Sequence, residues 1–243
     1  MSWKERTELL LGDDAVSKLA HSHVLIAGLG GVGGMVAEML VRAGIGEITI
    51  IDADTIHESN RNRQLIALSS NDGHSKAEEW HKRLLDINPE LKVHVIAEFI
   101  RDKAIPELLE NKFDFVVDAI DTLAPKVFLI YHTMQKGYPL VSSLGSGSKM
   151  APEQIRICDI AESYNCKLGF YVRKRLHKLG IRSGFDVVFS PEPQKENSII
   201  PDESDEAIKS TIGTISYMPN AFGVFLASVV IRRLLGLPIS QNQ

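Results

Sequence analysis

The spacing of glycines after the first apolar run constrains this chain more than any other feature. Val24–Ala27 (VLIA) reads as a buried strand, and Gly28, Gly30, Gly31 and Gly33 follow in GLGGVGG. A helix-length stretch comes next, and then a second apolar run, ITIID, that ends at Asp52. A G-x-G-x-x-G between a strand and a helix, answered by an acid about 20 residues on, specifies the strand–turn–helix unit of a nucleotide-binding α/β fold. The glycines permit a tight turn and a close approach of backbone to phosphate. A helix starting near Gly31 would aim its free N–H groups at an anion. Asp52 suits ribose hydroxyls, in NAD or ATP alike. Asp54 lies two residues further on and reads either as a second acceptor or as a loop cap.

The remaining pattern alternates. Apolar, β-branched runs at His23–Ala27, Glu47–Asp52, Lys92–Ile96, Phe113–Asp118 and Leu140–Ser142 predict strands. Helical periodicity falls between them, at Gly31–Ala43, Ser75–Leu85, Lys103–Leu109 and Leu123–Gln135. This βαβα rhythm predicts an α/β, Rossmann-like, doubly wound and mostly parallel sheet. Beyond residue 150 the pattern becomes irregular. Strands are expected at Gln154–Asp159 and Phe185–Ser190, a basic helix at Asn165–Leu179 and a long apolar helix at Tyr217–Leu235. Pro191–Ser210, with three prolines and many charges, predicts a mobile loop. With 243 residues, the chain reads as a single domain: a nucleotide-binding core at about 20–145 and a substrate-side extension at about 146–243.

Composition narrows the function classes. A net charge of −4 gives no global pull toward nucleic acid or membrane, so any basic surface must be local. The longest late apolar run, Ala221–Ile231, is well short of the roughly 20 residues of a membrane span, and no signal-peptide run opens the chain. A cytoplasmic location is expected. Two cysteines, Cys158 and Cys166, are too few for a disulfide framework or a four-ligand zinc site. The eight histidines are scattered and show no metal-ligand spacing.

Several charged positions crowd the same nucleotide. Asn60-Arg61-Asn62-Arg63-Gln64 follows the ribose-binding strand by a short loop, and Lys76 opens the next helix. An Asn/Arg run is ordinarily a solvated face, but two Arg and one Lys around one nucleotide favour a triphosphate over a dinucleotide. Asp118 ends a strand at the carboxyl edge of the sheet, where α/β ligands bind. Asp121 suits Mg²⁺ bridging phosphates, or equally the N-cap of the following helix. Arg173, Lys174, Arg175 and Lys178 give the helix after residue 165 a basic face, either simply solvated or a contact for nucleic-acid phosphates. Lys149 and Arg156 would extend that patch.

Arg6 with Gly12, GLGGVG, Asp52-x-Asp54, Asn60-x-Asn62-Arg63-Gln64, Lys76 and Asp118-x-x-Asp121 together resemble the ubiquitin-activating-enzyme-like adenylating superfamily of ThiF, MoeB and HesA. The resemblance implies that ATP sits on the glycine loop and that the acid at Asp52 holds the ribose. Asn60, Arg63, Gln64 and Lys76 would contact the triphosphate, and Asp121 would bind Mg²⁺. Arg6 would reach the active site of a neighbouring subunit in a homodimer. The implied chemistry is attack of a carboxylate on the α-phosphate, giving an acyl-adenylate. The two C-x-x-C pairs of the ThiF and MoeB branch are absent. The segments DAIDT, PKVFLI, SSLGSGSK, DVVFS and GTISYMPNAFG are instead similar to the TcdA (CsdL/YgdL) branch, which cyclises N6-threonylcarbamoyladenosine in tRNA. That resemblance implies tRNA as substrate and leaves room for a sulfur-transfer partner protein. An adenylyltransferase for a ubiquitin-like sulfur carrier is the alternative within the superfamily. An NAD-binding oxidoreductase or redox sensor is the alternative outside it.

Overall fold

The structure, a computed structural model, describes residues 2–100, 104–201 and 210–239. Seven strands form the central sheet: β1 (His23–Ala27), β2 (Glu47–Ile51), β3 (Lys92–Ile96), β4 (Phe115–Asp118), β5 (Leu140–Ser143), β6 (Arg156–Asp159) and β7 (Asp186–Phe189). Their spatial order is β3-β2-β1-β4-β5-β7-β6, and every pairing is parallel except β6 on β7. The chain winds outward from β1 to β3 and then returns to place β4 on the other side of β1. This reversal opens a crevice at the carboxyl ends of β1 and β4, the switch point where ligands of open α/β sheets bind.

Each central strand is buried on both faces, which explains its near-continuous apolar character. One face carries Val24, Ile26, Ile48, Ile50, Phe115 and Val117 under α3 (Gly33–Arg42), α4 (Lys76–Ile87) and α8 (Tyr217–Leu234). The other carries Leu25, Ala27, Val116 and Val187 under α5 (Ala104–Leu108), α6 (Leu123–Lys136) and α7 (Lys167–Lys178). The apolar run in α8 therefore belongs to the chain's own core: Met218, Phe222, Leu226, Val229 and Val230 are buried. A Cβ on Gly223 would come within 2.6 Å of the Val32 carbonyl oxygen, so glycine sets how closely α8 approaches the start of α3.

The structure adds one segment the sequence reading left unassigned and changes three expectations. Two helices precede β1, α1 (Glu5–Leu11) and α2 (Asp13–Ala20), hinged at Gly12 with φ +84°. Helix α3 begins at Gly33, two residues after the expected start, because Gly30–Val32 are used in the loop itself. Strand β4 begins at Phe115, since Asp114 turns back to accept the His23 N–H at 2.7 Å. The expected mobile loop contains a helical turn at Glu196–Ser198 and an antiparallel ladder between β8 (Ile199–Pro201) and β9 (Ser210–Ile212). Residues 202–209, also in that loop, lie outside the described residues, as does Lys103 at the expected start of α5. Among the described residues no helix is long and apolar enough to cross a membrane.

Candidate active site

The glycine loop closes on itself by sterics. Gly28 has φ +89°, and a Cβ there would lie 2.7 Å from the Ala119 carbonyl oxygen. A Cβ on Gly33 would lie 1.8 Å from the Gly28 carbonyl oxygen. These two glycines are dictated by the turn. Gly30 is different: the nearest atom to a Cβ there is Gln64 Nε2 at 3.8 Å. A Cβ there would make only ordinary contact, so packing within the chain does not require glycine at that position. Gly31 faces Pro219 and the Arg63 backbone, at 3.0 and 3.2 Å from a Cβ.

Asp52 is held beneath this loop. Its carboxylate accepts the Leu29 N–H at 2.7 Å and the Asp54 N–H at 2.8 Å. Burial pushes its pKa above the usual carboxylate value, against the pull of those N–H donors and Lys76. Asp54 accepts from Lys76 Nζ at 2.8 Å, with Lys76 nearly buried and Asp54 open to solvent. Both acids thus contribute to the loop, and Asp54 is a lysine partner more than a cap.

The Asn60–Gln64 segment divides by role. Asn60 is buried and accepts the His57 N–H at 3.1 Å, which shapes the turn at Glu58–Asn60. Gln64 is buried beside Gly30, and its Oε1 has no hydrogen-bond partner. Arg61 faces away and pairs with Glu58 at 3.3 Å. Arg63 is half-buried, with Nη1 donating to Ser59 O and Asn62 Oδ1, both at 2.9 Å. Burial pulls its guanidinium pKa down, and Asp121 opposes this from nearby. Asp121 therefore lies close enough to Arg63 for its charge to act on the guanidinium. Asp121 is exposed and does not cap α6: Thr122 occupies the N-cap position. That removes the N-cap alternative.

Asp118 was legible as a strand-end acid, but its partners Lys126 and Ser142 carried no readable role in the sequence. Asp118 and Lys126 are both fully buried and form an ion pair at 2.7 Å. Ser142 Oγ donates to Asp118 at 2.6 Å, and Lys126 Nζ donates to the Ile120 carbonyl at 2.8 Å. Burial raises the Asp118 pKa while Lys126 and Ser142 oppose it. This cluster pins Ala119–Asp121 over the glycine loop. Asn220, on the first turn of α8, donates to the Arg63 carbonyl at 3.1 Å, and Asn62 donates to the Thr214 carbonyl at 3.2 Å. The C-terminal segment is thereby tied to the arginine loop. GTISYMPNAFG marks the place, but its chemistry depends on a contact 157 residues apart.

The basic helix begins at the same edge of the sheet. Cys166 caps α7 by accepting the Gly169 N–H, and Gly169 packs on Leu144 just beyond β5. Lys174, Arg175 and Lys178 project from α7 into solvent, as expected. Arg173 does not: it turns inward and donates to Ser163 Oγ. Its guanidinium anchors α7 to the preceding turn. Lys149 is also withdrawn from the patch, being buried and bonded to the Glu192 carbonyl. Arg156 remains exposed above the Tyr164 ring. Arg6 lies exposed on α1 beside the apolar side chains of Trp3, Leu9 and Leu10, themselves well exposed and remote from the glycine loop in sequence. Exposed apolar side chains thus cluster at Trp3, Leu9 and Leu10, while α8 exposes Tyr217 and Val224 and buries most of its apolar run. Burial and nearby acids push the Cys158 thiol up to about 12.

The ThiF family profile matches residues 5–243. The tRNA threonylcarbamoyladenosine dehydratase of Escherichia coli (strain K12) is 35% identical over 94% of this chain and 88% of its own length. That of Bacillus subtilis (strain 168) is 33% identical over 95% of this chain and 93% of its own. The crystal structure of the E. coli dehydratase TcdA in complex with ATP superposes with a TM-score of 0.88 at 32% identity. The match covers 96% of this chain and 95% of that one.

Proposed function

The chain belongs to the ThiF family, and we propose that it is an ATP-dependent dehydratase that cyclises N6-threonylcarbamoyladenosine in tRNA. The observation that carries this reading is the glycine turn at Gly28–Gly33, with Asp52 bonded beneath it and the buried, unpartnered Gln64 Oε1 beside Gly30. Relatives matched over most of their length are tRNA threonylcarbamoyladenosine dehydratases, and one of them is solved in complex with ATP in the same fold.

In the proposed reaction, the threonyl carboxylate attacks the α-phosphate of ATP and pyrophosphate leaves. Internal attack on the acyl-adenylate then closes the ring and releases AMP. An anion attacking an anionic phosphate needs positive charge close by, which Arg63 supplies in place and Lys76 supplies on leaving Asp54. Asp52 holds the ribose, Gln64 Oε1 finds a partner in the nucleotide, and Gly28, Gly30, Gly31 and Gly33 bring N–H groups to the phosphates. Asn60 acts by shaping the loop. Asp121 is the acid that would hold Mg²⁺, whose charge would offset that of the phosphates. Lys174, Arg175 and Lys178 would neutralise tRNA phosphates, without Arg173.

Arg6 is assigned to the neighbouring active site of a homodimer. The exposed Trp3, Leu9 and Leu10 beside it support an interface there. Arg6→Ala mixed with Asp121→Ala should regain activity through hybrid dimers, and the absence of recovery would remove the trans role. Ring closure with loss of AMP needs no sulfur donor. With no C-x-x-C pair in the sequence and full-length dehydratase relatives, the sulfur-carrier reading is not favoured, and neither is the NAD reading. A tRNA substrate puts the enzyme in the cytoplasm.

The test is incubation of purified protein with ATP, Mg²⁺ and tRNA bearing the threonylcarbamoyl group, followed by nucleoside mass analysis. The modified nucleoside should lose one water, with AMP and pyrophosphate as co-products. An unchanged nucleoside mass refutes the assignment.

A further inference from the structure

The opposite edge of the sheet carries a second, unrelated cluster. β1 and β2 begin in register, His23 beside Glu47, and β3 sets His94 two residues in, beside Thr49. All of these side chains project from one face of the sheet, since residues alternate faces along a strand. Glu47 Oε1 lies 3.6 Å from His23 Nδ1 and 2.9 Å from His94 Nε2. Two ring nitrogens from different strands therefore converge on one carboxylate oxygen. The three candidate ligand atoms lie within 4.8 Å of one another, and this is the one such His/Cys/Asp/Glu group among the described residues.

The surroundings match a metal centre. His23 is oriented from behind, with its other ring nitrogen 2.8 Å from Thr49 Oγ1. Metal-bound histidines almost always have the second nitrogen fixed in this way. His23 is also wedged against the Phe113 ring, with centroids 4.7 Å apart, so its direction is set by packing. Its side chain is 16% exposed, Glu47 30% and His94 55%, which leaves a solvent path on the His94 side. The cluster lines a cleft of about 340 Å³ with Asn111 and Lys112, roomy enough for a water as fourth ligand.

We propose that His23, Glu47 and His94 bind one divalent transition-metal ion of the zinc type, clasping β1, β2 and β3 at the edge remote from the nucleotide loop. Zinc takes imidazole and carboxylate ligands at about 2.0–2.2 Å in a tetrahedron, which sets ligand atoms about 3.3–3.6 Å apart. The His23–Glu47 distance already fits. His94, the most exposed of the three, moves slightly outward to complete the set. Lys92 Nζ, 4.0 Å from Glu47 Oε2, is the cation that the metal displaces. The sequence does not reveal the site because its ligands come one from each of three strands.

The test uses the purified full chain, stripped with chelator and titrated with Zn²⁺ by calorimetry, with Co²⁺ absorption as a report of tetrahedral coordination. One Zn²⁺ per chain is expected, with intense visible Co²⁺ bands. His94→Ala and Glu47→Gln should each weaken binding by more than tenfold, whereas His177→Ala, on α7, should not. Lys92→Ala should tighten binding, because it removes the competing charge while leaving all three ligands in place. Zn²⁺ should raise the melting temperature of the wild type and not of His94→Ala, since a ligand stabilises only the state it binds. Unsaturable binding, binding unaffected by either ligand substitution, or weaker binding in Lys92→Ala would overturn the proposal. None of these readouts involves ATP or tRNA, so failure here is separate from failure of the proposed activity.

Discussion

Two lysine–aspartate pairs stand within one nucleotide site and have almost the same length. Lys126–Asp118 measures 2.7 Å and Lys76–Asp54 measures 2.8 Å. The first pair is sealed, with both side chains 0% exposed, and every remaining polar atom around it is engaged by Ser142, Ile120 N–H or the Ile120 carbonyl. The second is open on one side, with Asp54 56% exposed. Distance alone does not separate them; solvent does. A sealed pair cannot exchange its partner, because a lone charge in that interior is costly. An open pair can, because water takes up the released carboxylate. The sealed pair therefore builds the loop that carries Asp121, and the open pair can release its lysine to an incoming phosphate.

The same substitution at both lysines breaks this comparison most directly. Lys126→Met should cost about 3–5 kcal/mol of stability in urea unfolding, because it strands a buried carboxylate. Lys76→Met should cost about 1 kcal/mol or less, since Asp54 reverts to water. Equal losses at the two sites would dissolve the distinction. Activity should sort the other way among folded variants. Lys76→Met and Arg63→Ala should each lower turnover by about 10²–10³-fold, roughly 2.7–4 kcal/mol of transition-state stabilisation, with nearly native melting. Loss of stability in parallel with loss of turnover would argue against a phosphate role.

The smallest effect concerns Asp52. Burial raises its pKa in the folded protein, so its contribution to stability is fully present below the usual carboxylate value and is lost as pH rises through the folded value. In the role proposed for Asp52, it is the ionised carboxylate that accepts from the ribose hydroxyls. ATP affinity should therefore fall on acidification, starting at a higher pH than an ordinary aspartate would give, by up to about tenfold per pH unit below that point. Calorimetric ATP titration from pH 7 downward checks this. In Asp52→Asn the acid-side decline should flatten, and an unchanged profile would assign it elsewhere.

The two pairs also mark how far the sequence could be read. The places of Gly28, Gly33, Asp52 and Lys76 were legible because they are local: a strand, a turn and a helix start within some fifty residues of one another. Asp118 could be placed at a strand end, but its partner Lys126 lies a helix turn inside α6, where a lysine in PKVFLI looks like surface. Arg173 and Lys149 were read as part of a basic patch by their charge. The fold instead turned one toward Ser163 and buried the other against the Glu192 carbonyl. The apolar run of α8 was too short for a membrane span, and burial of Phe222 and Leu226 assigns it to the core.

The sequence by itself determined the alternation of sheet strands and covering helices in the core and the glycine turn. Backbone sterics and side-chain periodicity act over a few residues and leave a direct imprint in the chain. Only the tertiary structure decided which charges are sealed and which can exchange, that Asn220 reaches the arginine loop, and that His23, Glu47 and His94 meet. Those outcomes depend on which strands lie side by side and on how much water remains between them. Both are set by burial over the whole sheet, which no short segment records.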